Sequence, residues 1–345
     1  MAKKATSDTT NKRLAVALQG GGSHGAYTWG VLERLLDQEG LDLCGYCGTS
    51  AGAMNATVLA YGLYLGGKPK AKELLQQFWK TVSEVGQTFP LKPNWFDLQF
   101  GKGNMDNSLG FMLTEMTALY LSPYQSNPLN YNPLQKILTD IVDFEALKSC
   151  DITKLFVCAT NVRRGRVKVF KLEEMSIDAV LASACLPYLF QAVTIDGEDY
   201  WDGGYMGNPP IFPLIDGTDT QDILVIQINP INIPKTPQTA NEIRDRVNEL
   251  SFNSSLMLEM RKLDFIDRLL TRGVEVGDKF RKIYVHNINP EKDLWDLNLS
   301  SKLNTNWQFL EGLHQLGYQY ADAWLKENFE HIGVKSTCDI RETFM

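Results

Sequence analysis

The chain has 345 residues, 44% of them hydrophobic, with 34 basic against 41 acidic residues and a formal net charge of −7. Such a length buries a sizeable core, and the charge gives no electrostatic footprint for nucleic acid or for simple attraction to anionic lipid. No stretch approaches the ~20 apolar residues of a membrane span. The polar start, followed by a short glycine-interrupted apolar run, lacks the apolar region of a signal peptide. A cytoplasmic location is expected, with peripheral association at membranes and export without a cleavable signal both left open.

In chain order, residues 1–12 form a polar arm, expected to be flexible. "RLAVALQ" (13–19) reads as a short strand stopped by three glycines, and "GAYTWGVLERLLDQ" (25–38) as a helix carrying Val31, Leu32, Leu35 and Leu36. A second strand, "LDLCGYCG", runs into "GTSAG", and helices are expected at 51–65 and 70–82. Residues 84–131 depart from this rhythm: they are aromatic-rich, poor in charge and broken by Pro, Gly and Asn. Long insertions of this kind often cover a site or meet a ligand. The plainer reading is a packed helix with Leu109, Met112, Met116 and Leu119 or Tyr120 on one buried face.

Further strands are expected at 154–160, 166–171, 192–196, 222–229 and 282–288, and amphipathic helices at 238–272 and 304–329. Near-continuous apolar runs such as "LFVCA" and "ILVIQI" suit strands buried on both faces of a mostly parallel sheet. The fold expected is therefore α/β, a three-layer helix–sheet–helix sandwich with additional C-terminal helices. Residues 13–230 would form the main domain and 231–345 a helical extension packed on it. Whether that extension is a cap or a face for an oligomer is open from sequence.

Six cysteines, Cys44, Cys47, Cys150, Cys158, Cys185 and Cys338, mostly sit in apolar runs, as reduced core thiols do. Cys44 and Cys47 form a CxxC, but on a strand residues three apart face opposite sides, and no second CxxC completes a zinc site.

Three short motifs carry chemistry. "QGGGSHGAY" places G-x-G-x-x-G at Gly20, Gly22 and Gly25, between a strand and a helix. A dinucleotide site uses the same device, but it wants an acid at the end of the second strand; Glu39 and Asp42 fall before that strand or at its start, not at its end. A glycine loop at a helix N-terminus can instead hold an oxyanion on its backbone amides. In "GTSAG", Ser50 lies between Gly48 and Gly52 with a strand before and a helix after, the context of a nucleophile elbow. "YWDGGYMGNPP" (200–210) sets Asp202 before Gly203 and Gly204, which alone reads as a turn.

Together and in this order, "GGGSHG", "GTSAG" and "DGG" resemble the patatin-like phospholipases, with "ASACLPYLFQAV" (182–193) resembling that family's stretch ahead of the aspartate turn. The resemblance covers residues 13–230. It implies a catalytic domain there, Ser50 as nucleophile and Asp202 as proton acceptor with no histidine, and carboxylic ester hydrolysis of a phospholipid or lysophospholipid. It also implies an oxyanion hole from Gly20, Gly21, Gly22 and Ala51, no metal and no cofactor. Such a base needs its pKa raised by desolvation. The chain departs from the pattern at His24, where many members have arginine, which puts the contribution of that cation in doubt. Two readings compete. A Ser–His–Asp triad, serving a general esterase or acyltransferase, would use His286, the histidine that follows "KIYV"; His314 and His331 sit in surface-like helical stretches. The other is a lipid-binding module that keeps the fold without catalysis.

Overall fold

The structure, a computed structural model, describes residues 11–274, 277 and 280–345. Residues 1–10 of the expected arm lie outside the described residues, while Lys12 already pairs with Leu41.

Among the described residues eight strands form one sheet: β1 (Lys12–Leu18), β2 (Leu41–Thr49), β3 (Lys154–Asn161), β4 (Arg166–Lys171), β5 (Val193–Ile195), β6 (Glu198–Asp202), β7 (Asp222–Ile226) and β8 (Tyr284–Ile288). The centre is parallel, in the order β3-β2-β1-β7-β8, and β4, β5 and β6 add antiparallel pairings. The expected mostly parallel sheet is present. Its long apolar strands are buried because helices cover both faces.

One face packs against α1 (Gly25–Asp37), α2 (Ala51–Gly86) and a C-terminal helix, Trp307–Asn328. The other packs against the segment Phe212–Gly217 and the long helix Ala240–Thr271. The two helices expected after Ser50 run on as α2, with a kink at Gly66 and Gly67 just before Pro69. Proline removes a helical donor and crowds the preceding turn.

Residues 198–202 form β6, a strand absent from the sequence reading; it is short and polar, and only its partners β3 and β5 define it. Two local expectations fail for physical reasons. Cys44 and Cys47 do not face opposite ways. A bulge at Cys44 breaks the alternation, so both thiols enter the same core layer, free and with pKa values pushed up by burial. The helix Leu109–Tyr120 does not bury the predicted face either. Leu109, Met112, Met116, Leu119 and Tyr120 are all more than half exposed, and Phe111 is its buried side chain.

The pairing on β3 positions the site. β2 occupies one edge of β3 up to the rung Thr49–Cys158. β6, running the opposite way, takes over the same edge at the next rung, Asp202–Ala159. β4 lines the other edge throughout. Two strands thus meet end to end, and Ser50 and Asp202 sit at the meeting point.

Candidate active site

Ser50 follows the last residue of β2 and precedes the first of α2. Its backbone is strained, with φ 54° and ψ −122°, a region that non-glycine residues occupy only when their surroundings enforce it. The enforcement is visible. A Cβ on Gly48 would collide with the Gly52 carbonyl, and one on Gly52 with the Leu18 carbonyl of β1. Gly25 allows α1 to close on Ala51, whose Cβ would lie 2.7 Å from an added one. The Ser50 amide donates to Ser183 Oγ at 2.8 Å, fixing the turn from the side.

The glycine loop lies directly against this serine, since a Cβ at Gly20 would stand 2.7 Å from Ser50 Cβ. Gly22 takes a left-handed conformation, φ 57°, pressed on the carbonyl of Lys302. The backbone of Gly20 is pinned from both sides: its N–H donates to Asn208 Oδ1 at 2.7 Å, and its carbonyl accepts from Asn229 Nδ2 at 2.8 Å. Gly20 is therefore removed from the expected set of oxyanion donors, because its amide is engaged. The amides of Gly21, Gly22 and Ala51 have no partner among the described residues. The Ala51 amide belongs to the first turn of α2, where the helix field favours negative charge.

Asp202 is fully buried. Its amide donates to the Cys185 carbonyl at 2.8 Å, and its Oδ1 accepts the Gly204 amide at 2.7 Å, closing the DGG turn. Gly203 is needed for close approach, since a Cβ there would strike the Cys158 carbonyl of β3. Burial pushes the carboxyl up to about 7, against the pull of the Gly204 amide, the Ser50 hydroxyl and the charge of Lys302. Oδ2 has no aligned donor among the described residues, so Ser50 approaches it without a tight hydrogen bond. Catalytic contacts are commonly this loose before substrate binds. The pair consists of a hydroxyl on a strained turn beside a carboxyl that titrates near neutrality, the arrangement that acyl transfer requires.

His24 is not a base here. It is buried, bonds Ser301 Oγ at 2.8 Å through Nε2, and is pushed down to about 3 by burial and by Lys302, so it stays neutral. His286 is not brought to Ser50, which removes the triad geometry. Its ring nitrogens are occupied by Asp222 Oδ1 at 3.0 Å and Thr337 Oγ1 at 2.8 Å. By strand register it stands level with Tyr46 and three strands away from it, roughly 20 Å from Ser50 at ordinary strand spacings.

Several residues in the site escaped the sequence reading: Asn208, Asn229, Gln19, Ser183 and Lys302. Gln19 Oε1 accepts from the amides of Ile228 and Asn229 at 2.9 and 3.0 Å and so ties the loop after β1 to the loop after β7. A signal for two of them was present. Gln19 and Asn229 are polar residues just past the C-terminal ends of apolar parallel strands, where open α/β sheets build their sites.

The family model described as Patatin-like phospholipase matches residues 16–215, which include the glycine loop, Ser50 and Asp202. Uncharacterized protein R571 of Acanthamoeba polyphaga mimivirus is 24% identical over 310 residues, covering 87% of this chain and 90% of that protein. Among solved structures, VipD from Legionella pneumophila superposes with a TM-score of 0.38 at 15% identity, covering 97% of this chain and 79% of VipD. The type III effector ExoU superposes with a TM-score of 0.34 at 16% identity, covering 92% of this chain and 53% of ExoU.

Proposed function

The chain belongs to the patatin-like phospholipase family, and on that premise we propose that it is a serine-dependent lipid acyl hydrolase, of phospholipase A or lysophospholipase type, working through Ser50 and Asp202. The observation that carries this reading is the strained Ser50 set against a buried carboxyl raised to about 7 with one oxygen unpartnered. In the cycle, Ser50 Oγ attacks the ester carbonyl while its proton passes to Asp202. The new oxyanion rests on the amides of Gly21, Gly22 and Ala51. The C–O bond to the leaving alcohol then breaks, and Asp202 returns the proton to that alcohol. Water, deprotonated by Asp202, attacks the acyl-serine; release of the fatty acid restores both groups.

The test is fatty-acid release from mixed phospholipid vesicles without added calcium. Wild type and His286→Ala are expected to release fatty acid at the same rate, since His286 holds Asp222 and Thr337 together elsewhere. A loss of activity in a folded His286→Ala protein would revive the triad. No release by wild type, on vesicles or on simple acyl esters, would favour a binding module.

The residues 84–131 supply the surface that meets the lipid. They adjoin the site on two sides: Met105 N bonds Ser300 Oγ at 2.8 Å, and Gln191 Nε2 donates to the Asn127 carbonyl at 2.9 Å. Between these anchors the segment exposes Leu109, Met116, Leu119 and Tyr120, and outside them Trp95 and Leu129, apolar side chains of the kind that mark an interaction surface when they adjoin. None of the helices formed by the described residues is long and apolar enough to cross a membrane; the proposed contact is one made at the interface. The double change Leu109→Asp with Leu119→Asp is expected to cut vesicle co-sedimentation and vesicle hydrolysis at least about tenfold, from the apolar area lost. Hydrolysis of a soluble short-chain ester should stay unchanged. An equal loss on both substrates would show a structural effect instead.

A further inference from the structure

The glycine loop has a charged neighbour that comes from the far end of the chain. Lys302 lies in the turn Ser301–Leu303, and its carbonyl and Cβ are the atoms that a side chain at Gly22 would meet. Its Nζ donates to Asn229 Oδ1 at 2.9 Å and to Asn248 Oδ1 at 3.3 Å, and lies 5.7 Å from the centre of the Phe252 ring. Which end of the Asn229 amide is nitrogen follows from its other partners. Its Nδ2 must point at Gly20 O and Gln19 Oε1, both acceptors, at 2.8 and 3.2 Å. Oδ1 is thereby turned to Lys302, which meets acceptors and an aromatic face, the surroundings of an ammonium. Next to it, Ser301 holds the neutral His24 of the same glycine loop.

We infer that Lys302 is a positioning residue of the Ser50–Asp202 pair, supplying from the C-terminal segment the positive charge at the glycine loop that His24 does not provide. It does two things at once. Through Asn229 it holds Gly20 and hence the loop, and through space it favours both the ionised Asp202 and an oxyanion at the Gly21 and Gly22 amides. The charged and titratable groups around it are few. Burial pushes the Lys302 ammonium down, and Glu249, Asp245 and Asp202 oppose that push. Asp202 for its part faces Lys302 and the un-ionised Cys158, Cys185 and Tyr205, whose pKa values burial pushes up. Lys302 is thus the cation that acts on the Asp202 carboxyl.

The inference rests on the Ser50–Asp202 reading, and one experiment separates the two. Covalent labelling of Ser50 by a fluorophosphonate probe is followed from pH 5 to pH 9 in full-length wild type, Ser50→Ala, Lys302→Met and Lys302→Arg, with thermal melting as a check on folding. Labelling should rise through a midpoint near the Asp202 value. In Lys302→Met that midpoint should move up by about one pH unit, equivalent to the loss of ~1.4 kcal/mol of charge interaction. Lys302→Arg should keep the wild-type midpoint. A Lys302→Met profile with an unmoved midpoint, however slow, overturns the inference. Should Lys302→Met not fold, Asn248→Ala removes one anchor of the ammonium, and an upward shift of the midpoint in that variant supports the inference while an unmoved one overturns it. Labelling of Ser50→Ala at the wild-type rate would instead defeat the underlying reading.

Discussion

Asp202→Asn is expected to slow fatty-acid release by ~10³-fold at pH 8, the usual scale for removing a general base, while raising the thermal midpoint at that pH. Both effects follow from the same burial. The folded carboxyl titrates at about 7 against an ordinary 3.8, so the native state holds its proton more tightly than the unfolded chain. The contribution of this group to stability is complete below about 3.8 and is lost as pH rises through about 7. At pH 8 the wild type must keep a buried carboxylate, at a cost of ~4 kcal/mol for a shift of about three pH units. Asparagine has no charge to bury, but its new N–H group finds only Ser50 nearby, so the net gain should be ~2 kcal/mol. Melting curves of the two proteins are therefore expected to cross between about pH 4 and pH 7, the variant melting below wild type near pH 4 and above it at pH 8. Curves offset equally at all pH values would mean that Asp202 is not held as described.

Ser50→Gly should have the larger effect on turnover and the opposite effect on strain. Removing the nucleophile is expected to reduce hydrolysis by ~10⁶-fold, to the background of the remaining site. The glycine can adopt φ 54°, ψ −122° without penalty, which returns ~1–3 kcal/mol of backbone strain, less the extra entropy glycine loses on folding. Ser50→Ala keeps the strain and should melt close to wild type. A Ser50→Gly protein less stable than Ser50→Ala would show that the turn holds no such strain.

Much of this was legible in the sequence because local chemistry and tertiary position agree. The strands at 13–19 and 154–160 are apolar runs that end where a buried parallel strand must end. Gly48 is required by the Gly52 carbonyl within the motif itself, and Gly52 by the Leu18 carbonyl at the end of the neighbouring strand, so the motif carries part of its own geometry. Asp202 was legible only through the family resemblance, since "YWDGG" by itself is a turn and β6 is too short and polar to show a period. Lys302 was not legible at all. Its tripeptide, "SKL", has nothing unusual about it, and it meets the glycine loop only because the chain folds back across some 280 residues of sequence. The exposure of the helix Leu109–Tyr120 was missed for a different reason. Periodicity shows that a helix has an apolar side, but not whether protein or lipid covers it.

The end-to-end junction of β2 and β6 makes β3 a splint that gauges the distance between Ser50 and Asp202. The strand ends that carry them stand one rung apart on a ladder, Cys158 to Ala159. With these two as the proposed reacting pair, the tolerance of the chemistry is written in a strand that holds neither of them. A single residue inserted between Cys158 and Ala159 would part the two by a strand step of ~3.3 Å, leaving each motif intact and the enzyme silent. Mutational scans that score only the motifs would overlook the positions with the strictest demand on spacing.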